Sequence, residues 1–207
     1  MRFEKVSKEV FIKDCMKWSK DLLEHIELYN KLAKCKTEYE AINVYMDGTA
    51  GNKFLNLFLK DKKEPDEKEL IDLFEDAYEH VSIPVRSTSG SAGYDFKNPF
   101  KTFIMDEKVL FIPTGIRVFL DNDKILQIAP RSSASKKGIS LANTIGIIDS
   151  DYVNADNEGD IIIALKTSAV QIEQDEKIAQ GIILPFFTVD DDTATGERTG
   201  GFGSTGK

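Results

Sequence analysis

A β sandwich or barrel preceded by a helical segment is the fold class this sequence predicts. From Val81 onward, short runs rich in Val, Ile and Phe are separated by Gly, Pro, Asn and Asp, the punctuation of closely spaced strands. Before residue 81, apolar residues recur at spacings of three and four, as on amphipathic helices. Composition marks the same divide: both histidines, both cysteines and the only tryptophan precede residue 81, whereas of the glycines only Gly48 and Gly51 do.

Each element has its own local reason. Met1 to Val6 reads as a short edge strand. Ser7 is the expected N-cap of a long helix whose face carries Phe11, Cys15, Trp18, Leu22, Ile26, Tyr29 and Ala33. Thr37-Glu38-Tyr39-Glu40 fits a capping box for a second helix, stopped at Asp47-Gly48. Asn52 caps a short third one with Phe54, Leu55, Phe58 and Leu59. Pro65, Asp66 and Glu67 open a fourth, with Leu70, Phe74 and Ala77 on one face. These stripes are read as packing surfaces. Cys15, Cys35, His25 and His80 lack the spacing of a zinc site. Strands are expected at 83–85, 103–111, 115–120, 124–129, 159–166 and 178–189. Asp190 to Thr195 is a polar linker, and the glycine-rich end from Arg198 cannot build a core element by itself.

Totals narrow the function. A length of 207 residues suits one large domain or one and a half. No apolar run approaches the ~18 residues of a membrane span. Met1-Arg2-Phe3-Glu4-Lys5 has no signal-peptide core, and two cysteines make no disulfide framework, so a cytoplasmic location is expected. The net charge of -8 argues against a nucleic-acid-binding surface. A small anionic substrate stays open, because a local cluster can overrule the global sign. Such a cluster lies in Pro130 to Tyr152, where Arg131, Ser132, Ser133, Ser135, Lys136 and Lys137 suit a polyanion. The same stretch ends in Asp149, Asp151 and Tyr152, a carboxylate pair beside an aromatic face.

Five separated motifs carry a resemblance: Ser91-Ala92-Gly93-Tyr94-Asp95-Phe96; Pro130-Arg131-Ser132-Ser133 on to Gly138; Asn143 through Tyr152; Lys177-Ile178-Ala179-Gln180-Gly181; and Arg198 through Gly206. In this order, over residues 82–207, the sequence resembles the trimeric dUTPases. The resemblance implies a jelly-roll-like β barrel and a homotrimer whose shared active sites are closed by the C-terminal arm. It implies dUTP as substrate, hydrolysed to dUMP and pyrophosphate by water attack on the α-phosphorus. The expected division is a first barrel strand at 1–7, a helical insertion at 8–80, the barrel at 81–195 and the arm at 196–207.

What the resemblance implies for single residues follows motif by motif. Asp149 is the expected general base, and the barrel has no histidine or cysteine to compete with it. Tyr152 packs under the deoxyribose and excludes a 2'-hydroxyl. Asn143 to Ile148, with Gly146 and Ile147, form a β-hairpin whose backbone reads uracil, and Ile162 adds a backbone contact. Arg131, Ser132, Ser133 and Gln180 bind phosphates. Phe202 stacks on uracil, while Arg198, Gly203, Ser204 and Thr205 complete the arm around the γ-phosphate. Asp95 reaches Mg2+ through water, with no direct protein ligand expected because magnesium is held mainly by the triphosphate. Asp151 is read as a turn or subunit-contact residue, since a strand puts successive side chains on opposite faces.

Two other readings compete. A dCTP deaminase shares this fold, but its zinc-free members carry a glutamate on the strand after the third motif, where this chain has Ala164. A regulatory binding protein is the other, with residues 8–80 as the surface for a protein partner. The helical segment is expected to be a largely separate unit that supplies no catalytic group. Neither a nucleic-acid nor a membrane partner is expected.

Overall fold

The structure, a computed structural model, describes residues 1–18, 67–104, 109–167 and 170–201. The expected helices at 37–47 and 52–59, the continuation of the first helix beyond Trp18, and Phe202, Gly203, Ser204 and Thr205 lie outside the described residues. No helix among the described residues is long and apolar enough to cross a membrane.

The architecture is mainly β. Its strands are β1 Arg2–Lys5, β2 Val85–Arg86, β3 Tyr94–Lys97, β4 Thr102–Ile104, β5 Val109–Pro113, β6 Ile116–Phe119, β7 Lys124–Ala129, β8 Ser140–Leu141, β9 Gly146–Ile148, β10 Ile162–Lys166, β11 Val170–Ile172 and β12 Lys177–Pro185. The helices are α1 Lys8–Lys17, α2 Glu67–Glu79 and α3 Ser132–Lys136, and Ser150–Asn154 is a 3-10 helix, η1. A five-stranded sheet runs β2-β3-β12-β7-β9, a three-stranded one β5-β10-β8, and β1-β6 and β11-β4 form two-stranded ladders. Every pairing is antiparallel. The result is a jelly-roll-like fold whose ladders, among the described residues, stay in separate sheets.

Burial follows the side-chain alternation of strands. In β7, Leu126 and Ile128 point into the core. In β10, Ile163, Ala164 and Leu165 are all buried, so this strand is covered on both faces. The run expected at 103–111 separates into β4 and β5. The segment expected as a uracil-reading hairpin is a connection between sheets. Its first arm, β8, pairs with β10, and its second, β9, pairs with β7. Between them Thr144 takes a positive φ of 66°, strained for a β-branched residue.

The first strand and the described helices are joined to the barrel. β1 pairs with β6 in the register Arg2↔Phe119 to Lys5↔Ile116. Ser7 caps α1 by accepting from the Val10 N–H at 3.3 Å, as expected of a serine there. Glu158 takes the Ser7 N–H at 2.9 Å and its hydroxyl at 2.8 Å. Phe11 and Cys15 of α1 and Phe74 and Ala77 of α2 are buried in one core with Phe96, Phe100, Leu110 and Ile116. Phe11 stacks on Phe100 at 6.2 Å, and the Tyr78 hydroxyl donates to the Val6 carbonyl at 2.7 Å. Gly115 lies against Phe11 and Val81 with φ +68°, and a Cβ there would meet Val81 at 2.8 Å. The expected separate helical unit is therefore corrected at both described ends. The apolar stripes of α1 and α2 pack on the sheets because two short helices cannot bury those faces alone.

α1 also brings a carboxyl into the interior. Asp14 is nearly buried and Asp160, just before β10, is fully buried. Burial pushes both carboxyls up, Asp160 well above the usual aspartate range, and the neighbouring Asp14 pushes Asp160 further. Neither carboxyl oxygen of Asp160 has a hydrogen-bond partner of ordinary geometry, and the N–H groups of Gly115 and Ile116 only partly offset its charge. A proton on Asp160, donated to Asp14, removes that deficit. Because its folded pKa is raised, Asp160 contributes stability that is present below the ordinary aspartate range. That contribution is lost as pH rises through the folded value. Asp160→Asn, which keeps a donor toward Asp14, should flatten this loss and raise Tm at pH 8 by about 2–6 °C, taking about 1–2 kcal/mol of relief. Equal Tm differences between variant and wild type at pH 5 and pH 8 would count against a protonated Asp160.

Candidate functional site

A pocket of about 220 Å³ opens where β9, η1, β10 and the start of the C-terminal arm meet. Its walls hold Asn143, Gly146, Ile147 and Ile148 from the β8–β9 connection, Asp149 and Tyr152 around η1, Ile162 from β10, and Arg198 with Gly201 from the arm. Ile128, Leu141, Ile163 and Ala164 add an apolar lining. An apolar chamber with a few convergent polar groups is the ordinary form of a small-molecule site.

Asp149 is the N-terminal flanking residue of η1, half-exposed at the pocket wall. Its Oδ2 accepts from the Arg198 Nη2, and the Asp151 Oδ1 accepts from the Arg198 Nε at 2.7 Å. Asp151, read from the sequence as a turn or subunit-contact residue, sits on the 3-10 helix at 150–154, and it and Asp149 two positions before it reach one guanidinium. The arm is held a second time by the Asp156 N–H donating to the Thr199 carbonyl at 3.3 Å. Gly201 rests on the Tyr152 ring, where a Cβ would lie 2.9 Å from ring carbon Cε2.

Tyr152 is buried with its ring edge in the pocket. Its hydroxyl donates to the Asp160 carbonyl at 3.0 Å and accepts from the Asn157 side chain at 3.4 Å. Burial raises its pKa, so the hydroxyl stays a neutral donor.

A second cluster lies on the adjoining five-stranded sheet. Asp95 of β3 is buried. Its Oδ1 meets the Arg131 Nε at 2.8 Å, and its Oδ2 meets the Lys177 Nζ at 2.7 Å and the Ser87 hydroxyl at 2.9 Å. Burial pushes this carboxyl up, but Lys177, Ser87 and Arg131 outweigh it and hold it below the usual range. Gln180 is the cross-strand partner of Asp95 and donates to the Pro130 carbonyl at 3.0 Å. Gly93 must lack a side chain here, since a Cβ would meet the Gln180 Oε1 at 2.3 Å. Ser132 and Ser133 open α3 beside Arg131 and are exposed. Neither Asp95, Arg131 nor Gln180 lines the pocket.

The donor set bears on magnesium. A carboxylate offers about four acceptor positions, and three on Asp95 are already taken. One free position on Oδ1 suits a single water-mediated contact. Among the described residues no group of three carboxylate, imidazole or thiolate side chains could hold a metal ion. Sequence reasoning did not find Ser87, Lys177, Asp14, Asn157 or Asp160. Lys177 stood inside a matched motif, but the other four carry no local signal of their partners.

Pocket and cluster describe a protein built for a compact organic anion. The dUTPase family model matches residues 79–206. The chain is 40% identical over 133 residues to the deoxyuridine 5'-triphosphate nucleotidohydrolase of Lactococcus lactis, covering 61% of this chain and 89% of that protein. It is 38% identical over 144 residues to the enzyme of the same name from Dinoroseobacter shibae, covering 63% and 92%. The crystal structure of dUTPase from Streptococcus mutans superposes with a TM-score of 0.50 at 36% identity, over 54% of this chain and 91% of that one. The chain belongs to the dUTPase family.

The Asp95 ion pairs generate a prediction. Asp95→Asn leaves Arg131 and Lys177 without their shared carboxylate, and both are only partly exposed. Urea denaturation should show a loss of about 1–3 kcal/mol, below the ~3–5 of a fully buried pair. A midpoint unchanged from wild type would mean that Asp95 does not anchor these cations.

Proposed function

We propose that the chain hydrolyses dUTP to dUMP and pyrophosphate, with Asp149 as the base. One observation carries the reading: Asp149 and Tyr152 face one pocket with the backbone of the β8–β9 connection and Arg198. In this reading the uracil edge pairs with backbone groups of residues 143–148. Cytosine presents the reversed donor and acceptor pattern, which leaves buried groups unpaired at about 1–3 kcal/mol each. The Tyr152 ring lies under the sugar and leaves no room for a 2'-hydroxyl.

The reaction places negative charge beside a carboxylate, so cations must be near. Arg131, with Ser132, Ser133 and Gln180, takes the phosphate chain, oriented by the Asp95 ion pair. Arg198 exchanges Asp149 and Asp151 for the triphosphate, which frees Asp149 to accept a proton from the attacking water. Water oxygen bonds to the α-phosphorus, the bond to the bridging oxygen breaks, and pyrophosphate leaves. Magnesium bound to the triphosphate would offset its charge, and Asp95 is the residue that would hold it, through water. Phe202, Gly203, Ser204 and Thr205 complete the arm.

The deaminase reading is weaker. Ala164 stands in the wall, and Asp149 is the only carboxylate among the residues that line the pocket. A cytoplasmic location accords with the reduced, buried Cys15. A protein partner through residues 8–80 has less room than the sequence suggested, since α1 and α2 spend their apolar faces on the core.

We further propose a homotrimer in which the pocket of one chain meets the phosphate cluster of the next. The separation of the two clusters supports it. So do exposed apolar side chains beyond β12, Phe187 at 91% and Val189 at 70%, of the kind that mark contact surfaces. Arg198 reaches the pocket of its own chain, so this part of the arm need not cross between subunits.

Two measurements test these readings. Asp149→Asn should lower kcat by about 10²–10⁴-fold, the usual worth of general-base catalysis, with Kd for a non-hydrolysable dUTP analogue little changed. Turnover near wild type would remove Asp149 from the role. Light scattering should give the mass of three chains. Asp149→Asn chains mixed with Arg131→Ala chains should regain part of the activity, because a mixed trimer contains sites with both parts intact. No recovery after verified subunit exchange would mean that each site lies within one chain.

A further inference from the structure

Tyr152 borders two spaces, the substrate pocket and a second cavity of about 280 Å³ whose lining includes Asp14, Lys17 and Trp18 of the first helix and its C-cap, Asn157, Ile162 and Gly201. A ring with open volume beside it can shift unless something holds it. Two hydrogen bonds hold its hydroxyl, one to the Asp160 carbonyl and one from Asn157. Asn157 is itself fixed from two sides. Its Nδ2 has two hydrogens for three acceptors, the Asp14 Oδ2 at 3.1 Å, the Asp160 carbonyl at 3.2 Å and the Tyr152 hydroxyl at 3.4 Å, so one hydrogen is shared, and its Oδ1 accepts from the Gly159 N–H at 3.2 Å. Asp14 thus stands at the head of a chain of contacts that ends on the pocket floor. It belongs to α1, outside the residues that the dUTPase family model matches.

We propose that Asp14 is a positioning residue for the reaction: through Asn157 it holds the Tyr152 ring in place in the pocket and sets how strictly the site excludes ribonucleotides. This rests on the reading of Tyr152 as the floor beneath the sugar. Among the described residues the helical insertion then supplies no group that lines the pocket, yet it tunes specificity. The carboxyl suits the task, since burial and the neighbouring Asp160 lock its acceptor oxygens onto inward donors. Only a small movement is needed, because a 2'-hydroxyl adds one oxygen and a shift of about 1 Å in a site can change rates about 10²-fold.

The test measures kcat and KM of the full chain for dUTP and for UTP, with thermal melting in parallel. Asp14→Ala should lower the preference for dUTP, as the ratio of kcat/KM values, by about tenfold or more, mostly by improving UTP. Its kcat for dUTP should stay within about threefold, since Asp149 and the phosphate ligands are untouched. Asp14→Asn retains an oxygen that accepts from Asn157 and should keep the preference within about threefold of wild type. A merely structural role would lower the folded fraction and move both substrates together, leaving the ratio unchanged. A folded Asp14→Ala protein with the wild-type ratio overturns the proposal, provided Tyr152→Ala collapses that ratio in the same assay. If Tyr152→Ala also leaves the ratio intact, the reading of Tyr152 falls first and the proposal with it. Should Asp14→Ala not fold, Asn157→Ala cuts the same chain without altering α1 and carries the same expectation and the same overturning result.

Discussion

β7 is paired on both edges, and the placement of the site depends on those two ladders. On one side β12 sets Gln180 opposite Ala129, so that its amide reaches Pro130 as the chain leaves the strand toward Arg131. On the other side β9 sets Ile148 opposite Leu126, which delivers Asp149 at the end of the ladder. β12 also pairs with β3 and puts Gln180 beside Asp95. A slip of one residue in β12 would turn Gln180 to the opposite face and bury the wrong set of side chains, so the core of Leu126, Ile128 and Ala179 enforces the register.

The same logic ties the helices to the barrel. Phe11, Cys15, Phe74 and Ala77 form one apolar surface with the sheets, and the Asp14–Asp160 pair is buried among them. A buried ion is costly, and two carboxyls side by side cannot both ionise without a large penalty. Cys15 lies next to them, and its thiol is pushed well up by burial and by both carboxyls. Asn157 donates to the Asp14 carboxylate, and the Tyr152 hydroxyl donates to the Asp160 backbone carbonyl beside it. Losing these contacts would loosen both the helix and the pocket floor.

Much of this was legible in the sequence and some was not, for physical reasons. The Ser7 cap, most strand runs and the motifs around Asp95, Arg131, Asp149 and Gln180 are local signals, although the run at 103–111 split into β4 and β5. Pairing partners are long-range facts. Nothing near Asn143 says that β8 joins β10 while β9 joins β7. Asp151 was set aside on strand alternation, although residues two apart share a face even in a strand, and both carboxylates meet Arg198. Asp14 reads as one more polar residue on an amphipathic helix. Its meaning comes from Asn157 and Asp160, more than 140 positions away.

The charges in the site are balanced before any ligand arrives. Arg131 and Lys177 share Asp95, Lys137 holds Glu176, and Arg198 bridges Asp149 and Asp151. A chain with net charge -8 thereby keeps these cations in place on carboxylates. A triphosphate must then compete with carboxylates, and it can do so where the pairs are partly solvated, because such contacts are worth only ~0–1 kcal/mol. Asp149 and Asp151 are half-exposed, whereas Asp95 is buried. The Arg198 pairs are therefore the ones that ligand can exchange, and the Arg131–Asp95 pair is the one that stays. On this argument Arg131 is a fixed phosphate ligand and Arg198 a moving one. The moving one is coupled to chemistry, because the carboxylate it leaves is the proposed base.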